Sequence, residues 1–239
     1  MRKGFYGPFF RTVRQICRWF FPHYQIDLGN IPEGPVVFVS HHQNMLGPIM
    51  NLVWLEKPVH IWALAVFCER RTCYQQYTNY TFTKRFGWPK FLACLCAAPL
   101  SLFISAILKD GKAIPVYRGS RDIMKTFRLS QQALAQGEPL LIFPDINYSS
   151  NVAKIGDIYN GFLHLEKDYR QKTGQHLPFI PLYVDKNNRR IQAAAPIFFP
   201  DGVSFLEART QITEKLQQSL NQLAQAGSTH TLAKGEELA

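Results

Sequence analysis

Acidic side chains are scarce in this chain and missing from its start: no Asp or Glu precedes Asp27. The 239 residues hold 17 acidic and 27 basic side chains, a formal net charge of +10. Charged residues make up only 18% against 46% hydrophobic, which excludes a wholly disordered chain. The 15 Gly and 15 Pro follow no period, so a collagen-like chain is excluded, and no repeat of solenoid or propeller length occurs. Five Cys is an odd number with no framework spacing, and no secretory signal pattern is present, so the thiols fit a reducing, cytosolic setting as core residues. Metal-ligand spacing is missing too. Cys94 and Cys96, or Cys68 and Cys73, have no second matching pair, and no His-Glu-x-x-His occurs. There is no glycine-rich phosphate loop, dinucleotide fingerprint or nucleic-acid motif, so nucleic acid is not an expected partner.

The excess of positive charge attracts phosphate, and its distribution says more than its total. Ahead of Asp27 stand Arg2, Lys3, Arg11, Arg14 and Arg18, interleaved with aromatic residues such as Phe9, Phe10, Trp19 and Phe20. Mixed cations and rings suit the headgroup layer of an anionic membrane, although a basic helix packed on the domain by one face has the same composition. Residues 1–24 are therefore expected to form a basic amphipathic membrane-interface helix, residues 25–226 an α/β domain and residues 227–239 a flexible tail.

Short apolar runs at 36–40, 59–67, 112–117, 139–143, 179–184 and 190–195 read as strands. Helices are expected over 9–21, 45–55, 120–136, 157–173 and 204–226. Residues 91–108 carry no charge but contain Pro99, and read as a buried or membrane-grazing helical pair rather than a span. Strands alternating with helices predict an α/β fold, a mixed, largely parallel sheet flanked by helices, with its chemistry at the carboxyl ends of strands.

Polar clusters follow three of these strands. The first is Ser40-His41-His42-Gln43-Asn44, the second Tyr117-Arg118-Gly119, and the third runs from Pro144-Asp145 through Asn147 to Ser149 and Ser150. Histidine suits general base work near neutral pH, and arginine suits a phosphate. Each also has a plainer role: His42 as a hydrogen-bonding group at a strand-to-helix junction, Arg118 in a surface ion pair, Asp145 as a turn cap. Strand alternation points His41 to the opposite face from His42, which makes His41 structural.

In this order the clusters resemble the glycerolipid and lysophospholipid acyltransferases of the bacterial PlsC type, over residues 25–225. Ser40 through Asn44 resemble that family's Asn-His-Gln-Ser motif, Ile114-Pro115-Val116-Tyr117-Arg118 its second motif, Phe143-Pro144-Asp145 its third, and Phe179-Ile180-Pro181-Leu182 its fourth. The resemblance implies acyl transfer from acyl-CoA or an acyl carrier protein (acyl-ACP) to a hydroxyl of a lysophospholipid-like acceptor, at the cytoplasmic face of a membrane, with the protein peripherally bound. It implies His42 as general base and Asn44, Arg118, Asn147 and Ser149 as substrate-binding residues, with no metal or bound cofactor. The family's orienting Asp is expected five positions after His42, where Gly47 stands. Asp145 is then the candidate to supply the missing carboxylate, and a catalytically weakened lipid-binding relative is the alternative.

Overall fold

The computed structural model describes residues 4–147 and 152–236, with side chains through 227. The chain forms two compact units, one of Gln15–Val59 with Gln131–Ala239, the other of Arg2–Arg14 with His60–Ser130.

The first unit is built on strands β1 (Gln25–Asp27), β2 (Val37–Ser40), β5 (Leu140–Ile142), β6 (Phe179–Asp185) and β7 (Arg190–Ala193). Their order is β1-β7-β6-β2-β5. β2 runs parallel to both β5 and β6, and β1 parallel to β7, while β6 and β7 are antiparallel. β2, β5 and β6 are buried throughout, as strands covered on both faces must be, and this explains their unbroken apolar runs. Phe38, Leu141, Ile180 and Leu182 form the core with Met50, Val53 and Trp54 of helix α2 (Leu46–Trp54). The fully buried Asn51 donates to the fully buried Ser40 Oγ at 3.2 Å, pinning α2 against the end of β2.

Helix α7 (His164–Thr173), entered by a short 3₁₀ turn at Gly161–Leu163, starts later than the expected 157. Ile158 forms an antiparallel bridge with Asp145, which withholds that stretch from the helix. Helix α8 (Phe205–Glu236) runs past the expected end at 226. Ala208, Ile212, Leu216, Leu220 and Ala224 form its buried stripe. At Gly227 a Cβ would lie 2.3 Å from Asp185 Oδ2, and the Gly227 carbonyl accepts from Asn188 Nδ2 at 2.7 Å, so docking onto the core continues beyond the apolar stripe.

The second unit holds the parallel pair β3 (His60–Leu64) and β4 (Ile114–Val116). Parallel neighbours need a long crossover. Here it is helical: α3 (Ala65–Cys68), α4 (Arg70–Gln76), a π-helical segment Tyr77–Arg85, and α5 (Lys90–Asp110). The helical pair expected over 91–108 is one continuous helix with Pro99 inside it. Helix α6 (Ile123–Ala135) follows β4 and passes from this unit into the first.

Helix α1 (Pro8–Phe20) also begins in the second unit, and residues expected to form a separate interface segment are packed there: Phe5, Tyr6 and Phe10 are buried. Asp110, at the end of α5, caps the start of α1. Its Oδ2 accepts from the Phe10 amide at 2.7 Å, and its carbonyl accepts from the Gly7 amide at 3.0 Å. A Cβ on Gly7 would sit 1.8 Å from Asp110 Oδ1, so only glycine admits this approach. Arg14 is buried, and Arg18 donates to the Val53 carbonyl and lies over Trp54, while Trp19 and Phe20 are exposed. Asp110→Ala is expected to lose about 1–2 kcal/mol, as removal of a helix cap does, with Asp110→Asn recovering much of it; urea unfolding of the three proteins measures this.

Candidate active site at the ends of β2 and β5

β2 and β5 are parallel neighbours in the register Val39↔Ile142, so the residues that follow both strands emerge at one edge of the sheet. After Ser40 the chain turns sharply: Gln43 and Asn44 adopt left-handed φ of 45° and 59°. Strain of this kind in non-glycine residues persists only where the surroundings hold it. Gln43 is buried, and its side-chain amide donates to the Val184 carbonyl at 3.1 Å, which fixes the turn to the end of β6. The Gly47 amide then returns to the His42 carbonyl at 3.1 Å as α2 begins.

That return explains the glycine. A Cβ at position 47 would stand 2.1 Å from the His41 carbonyl oxygen and 3.1 Å from that of His42. No side chain, least of all a carboxylate, fits there without moving the backbone that carries both histidines.

The carboxylate at this edge comes from β5. Asp145 is 5% exposed and is held by its bridge to Ile158 and by the Ile146 and Tyr159 amides bonding across the same turn. Asp145 Oδ1 is hydrogen-bonded to His41 Nδ1, and Oδ2 accepts from the backbone amide of His42 at 2.9 Å. The carboxylate expected beside the His42 ring therefore meets the ring of His41 and the main chain of His42. Alternation fails for His41 because β2 ends at Ser40 and the turn redirects the next side chain.

His41 is 2% exposed, and its Nε2 donates to the Val152 carbonyl at 2.9 Å. Both ring nitrogens of His41 thus face oxygen partners. The loop bearing Val152 is anchored. Tyr183 donates its hydroxyl to the Ala153 carbonyl at 3.3 Å, Asn221 bonds both the amide and carbonyl of Ile155, and Gln217 donates to the Gly156 carbonyl at 2.9 Å. Burial, followed by the charge of Asp185, pushes the Tyr183 hydroxyl up to about 12.

His42 is half-buried, with its ring edge-on to Phe143 at 5.6 Å. Burial is the main cause that draws its pKa below the ordinary imidazole value. The Asp145 carboxylate opposes this, and His41 adds to it. The neutral, proton-accepting form is therefore favoured at neutral pH.

The other sequence candidates lie elsewhere on the chain. Asn44 and Asn147 are exposed on the turns flanking this pair of strand ends. Ser149 lies outside the described residues. Arg118 belongs to the second unit, exposed on the turn after β4, where Thr126 Oγ accepts from the Tyr117 amide at 3.3 Å and donates to the Pro115 carbonyl at 2.7 Å. Among the described residues, no group of His, Cys, Asp and Glu is arranged to hold a metal ion. Burial pushes the Cys68 and Cys73 thiols up to about 11, so neither is a thiolate at neutral pH.

No family model and no curated protein matches the sequence. Among solved structures, the chain is similar to the 1-acyl-sn-glycerophosphate (LPA) acyltransferase PlsC from Thermotoga maritima. The match has a TM-score of 0.51 and 14% sequence identity, and covers 90% of this chain and 78% of that one. The likeness is one of fold: this chain has a PlsC-like α/β architecture with mixed, mostly parallel strand pairing.

Reinstating a carboxylate at the glycine is expected to fail. Gly47→Asp should unfold at markedly lower denaturant than the wild type, because the backbone must shift by more than an ångström to clear the His41 carbonyl. A Gly47→Asp protein as stable as wild type would contradict this packing.

Proposed function

We propose that the protein is an acyltransferase that moves a fatty acyl group from a thioester, acyl-CoA or acyl-ACP, to a hydroxyl of a lysophospholipid-like acceptor. The observation that carries the proposal is the meeting of His41, His42 and Asp145 at the carboxyl edge of β2 and β5 within a PlsC-like fold.

In this reading His42 is the general base. It is the half-buried histidine of the pair, and its depressed pKa keeps it neutral. It takes the acceptor hydroxyl proton as the oxygen attacks the thioester carbonyl. The tetrahedral intermediate collapses with release of the thiolate, and the proton passes from His42 to that sulfur. Asp145 acts as a positioning residue: it holds the His42 main chain directly and is itself braced by the His41 ring. Asn44 and Asn147, on the flanking turns, are assigned to acceptor binding together with Ser149. In this reading the reaction uses no metal or bound cofactor beyond the thioester co-substrate, and the protein works peripherally on an anionic membrane at the cytoplasmic face.

One observation favours a second reading, a weakened relative that binds lipid with little turnover. Gly47 excludes the usual carboxylate, and Asp145 is engaged by His41 rather than by the His42 ring.

Labelled acyl-CoA and acyl-ACP offered with lysophospholipid acceptors separate the two. Turnover that falls by about 10²–10⁴ in His42→Ala supports the enzyme. Saturable acyl-lipid binding without turnover on either donor supports the second reading. Rate against pH adds a directional check. The acid limb should lie below the ordinary imidazole pKa of about 6.5. It should move lower still in Asp145→Asn, because removing the carboxylate removes the main influence that raises the His42 pKa. A limb that stays in place or moves upward would remove Asp145 from the His42 environment.

A further inference from the structure

The crossover between β3 and β4 has a surface that a water-soluble protein ordinarily covers. α5 has 21 residues, a length of about 31 Å at 1.5 Å per residue. One face of it is buried at four-residue spacing by small side chains, Ala93, Ala97, Ser101 and Ser105. The two serines turn their hydroxyls back onto helix carbonyls, Ser101 to Ala98 at 3.0 Å and Ser105 to Ser101 at 2.7 Å. Small side chains with satisfied hydroxyls let α4 and the π-helical segment pack closely on this face. The opposite face is open. Phe91 is 75% exposed, Leu95 70%, Leu102 52% and Phe103 42%, a stripe along the length of the helix. The stripe continues onto α1, where the half-exposed Phe9 meets Phe103 edge-on at 5.8 Å. It continues also into the turn before α5, where Phe86 and Trp88 are exposed and the indole is stacked on Phe82 at 4.8 Å and 6°.

Charge identifies the occupant. From residue 70 to residue 109 there is no Asp or Glu, while Arg70, Arg71, Lys84, Arg85, Lys90 and Lys109 all fall in that interval. Lys84, Arg85 and Lys90 are exposed and bracket Phe86 and Trp88. An apolar stripe ending in a turn that alternates rings with cations, and lacks any anion, matches acyl chains below anionic headgroups.

We infer that α5 docks on an anionic phospholipid bilayer by lying in the plane of the interface, stripe downward, with the Lys84–Lys90 turn among the headgroups. The helix is long and apolar enough to span, but its neighbours forbid it. The buried face stays packed on α4 and the π-helical segment, and a span would carry the polar middle of those elements, Gln75, Gln76 and Asn79, into hydrocarbon, where polar groups are costly. Lying flat lets the exposed face enter to the depth of the acyl boundary, about 5–10 Å, and leaves the charged neighbours in water.

Full-length protein floated with vesicles, in the absence of donor and acceptor, tests this independently of acyl transfer. Wild type is expected to bind phosphatidylglycerol-containing vesicles in preference to phosphatidylcholine ones. It should also be released by alkaline carbonate, and its tryptophan emission should be quenched by brominated acyl chains, with that quenching reduced in Trp88→Phe. The double variant Leu95→Glu with Leu102→Glu should lower the partition coefficient about tenfold or more with an unchanged circular dichroism spectrum. The triple variant Lys84→Gln, Arg85→Gln and Lys90→Gln should erase the preference for anionic lipid.

A folded double variant that binds like wild type overturns the inference. So does resistance to carbonate, which marks a span. So does a wild type that ignores vesicles and forms a dimer that the double variant breaks. If the double variant does not fold, the quenching lost between wild type and Trp88→Phe decides: no loss overturns the inference and a loss upholds it.

Discussion

Two hydrogen bonds from one buried carboxylate organise the candidate site. Asp145 joins the ring of His41 to the backbone of His42, and so ties the end of β2 to the end of β5. A buried carboxylate without partners is strongly unfavourable, so the geometry around it is closely constrained. The bridge to Ile158 holds Asp145 in place, the Val152 loop closes the far side of His41, and the left-handed turn at Gln43 and Asn44 allows the two histidines to diverge. Each of these contacts serves the placement of that carboxylate.

A second His–carboxylate pair in the same unit gives a comparison. Glu166 is 2% exposed, accepts the Leu177 amide at 2.8 Å, and is bonded to His176 Nδ1 at 2.5 Å. His176 Nε2 lies 3.2 Å from the exposed Asp201, so the pair joins α7 to the start of β6 and to the surface. There a single imidazole bridges two carboxylates. At the ends of β2 and β5 the carboxylate serves two consecutive histidines, and the second of them, His42, keeps a half-buried, neutral ring. Pairing alone fits architecture, and the adjoining His42 is what sets the Asp145 edge apart and what the proposed reaction uses.

Much of this was readable from residues in order. The buried parallel strands announce themselves because covering both faces demands unbroken apolar runs, and 36–40, 139–143 and 179–184 have them. The helix boundaries that moved did so for long-range reasons. Residues 157–160 have helical neighbours but are diverted to the Asp145 bridge, and α8 continues past its apolar stripe because Gly227 admits Asp185 at close range. Pro99 suggested a break, yet α5 runs through it with Ala and Leu around it and neighbours packed along one side. β1, at the sheet edge, is three residues, Gln-Ile-Asp, too short and polar to carry a periodic signal. At the site, the approach of Asp145 to the two histidines followed from the strand ends, but which histidine it grips did not. Alternation describes residues inside a strand, and the grip is set one residue beyond it.

Gly47 carries a lesson about recognition by pattern. Motifs that pair a histidine with an acid a set number of residues downstream encode a carboxylate delivered by the same loop. Here the acid crosses from the neighbouring strand end, 104 residues along the chain from His41, whose ring it grips, and the loop position is sterically closed to a side chain. Any census of such proteins that counts intervals along the polypeptide will overlook architectures wired this way. A census that measures the gap between adjacent strand tips in space will collect them.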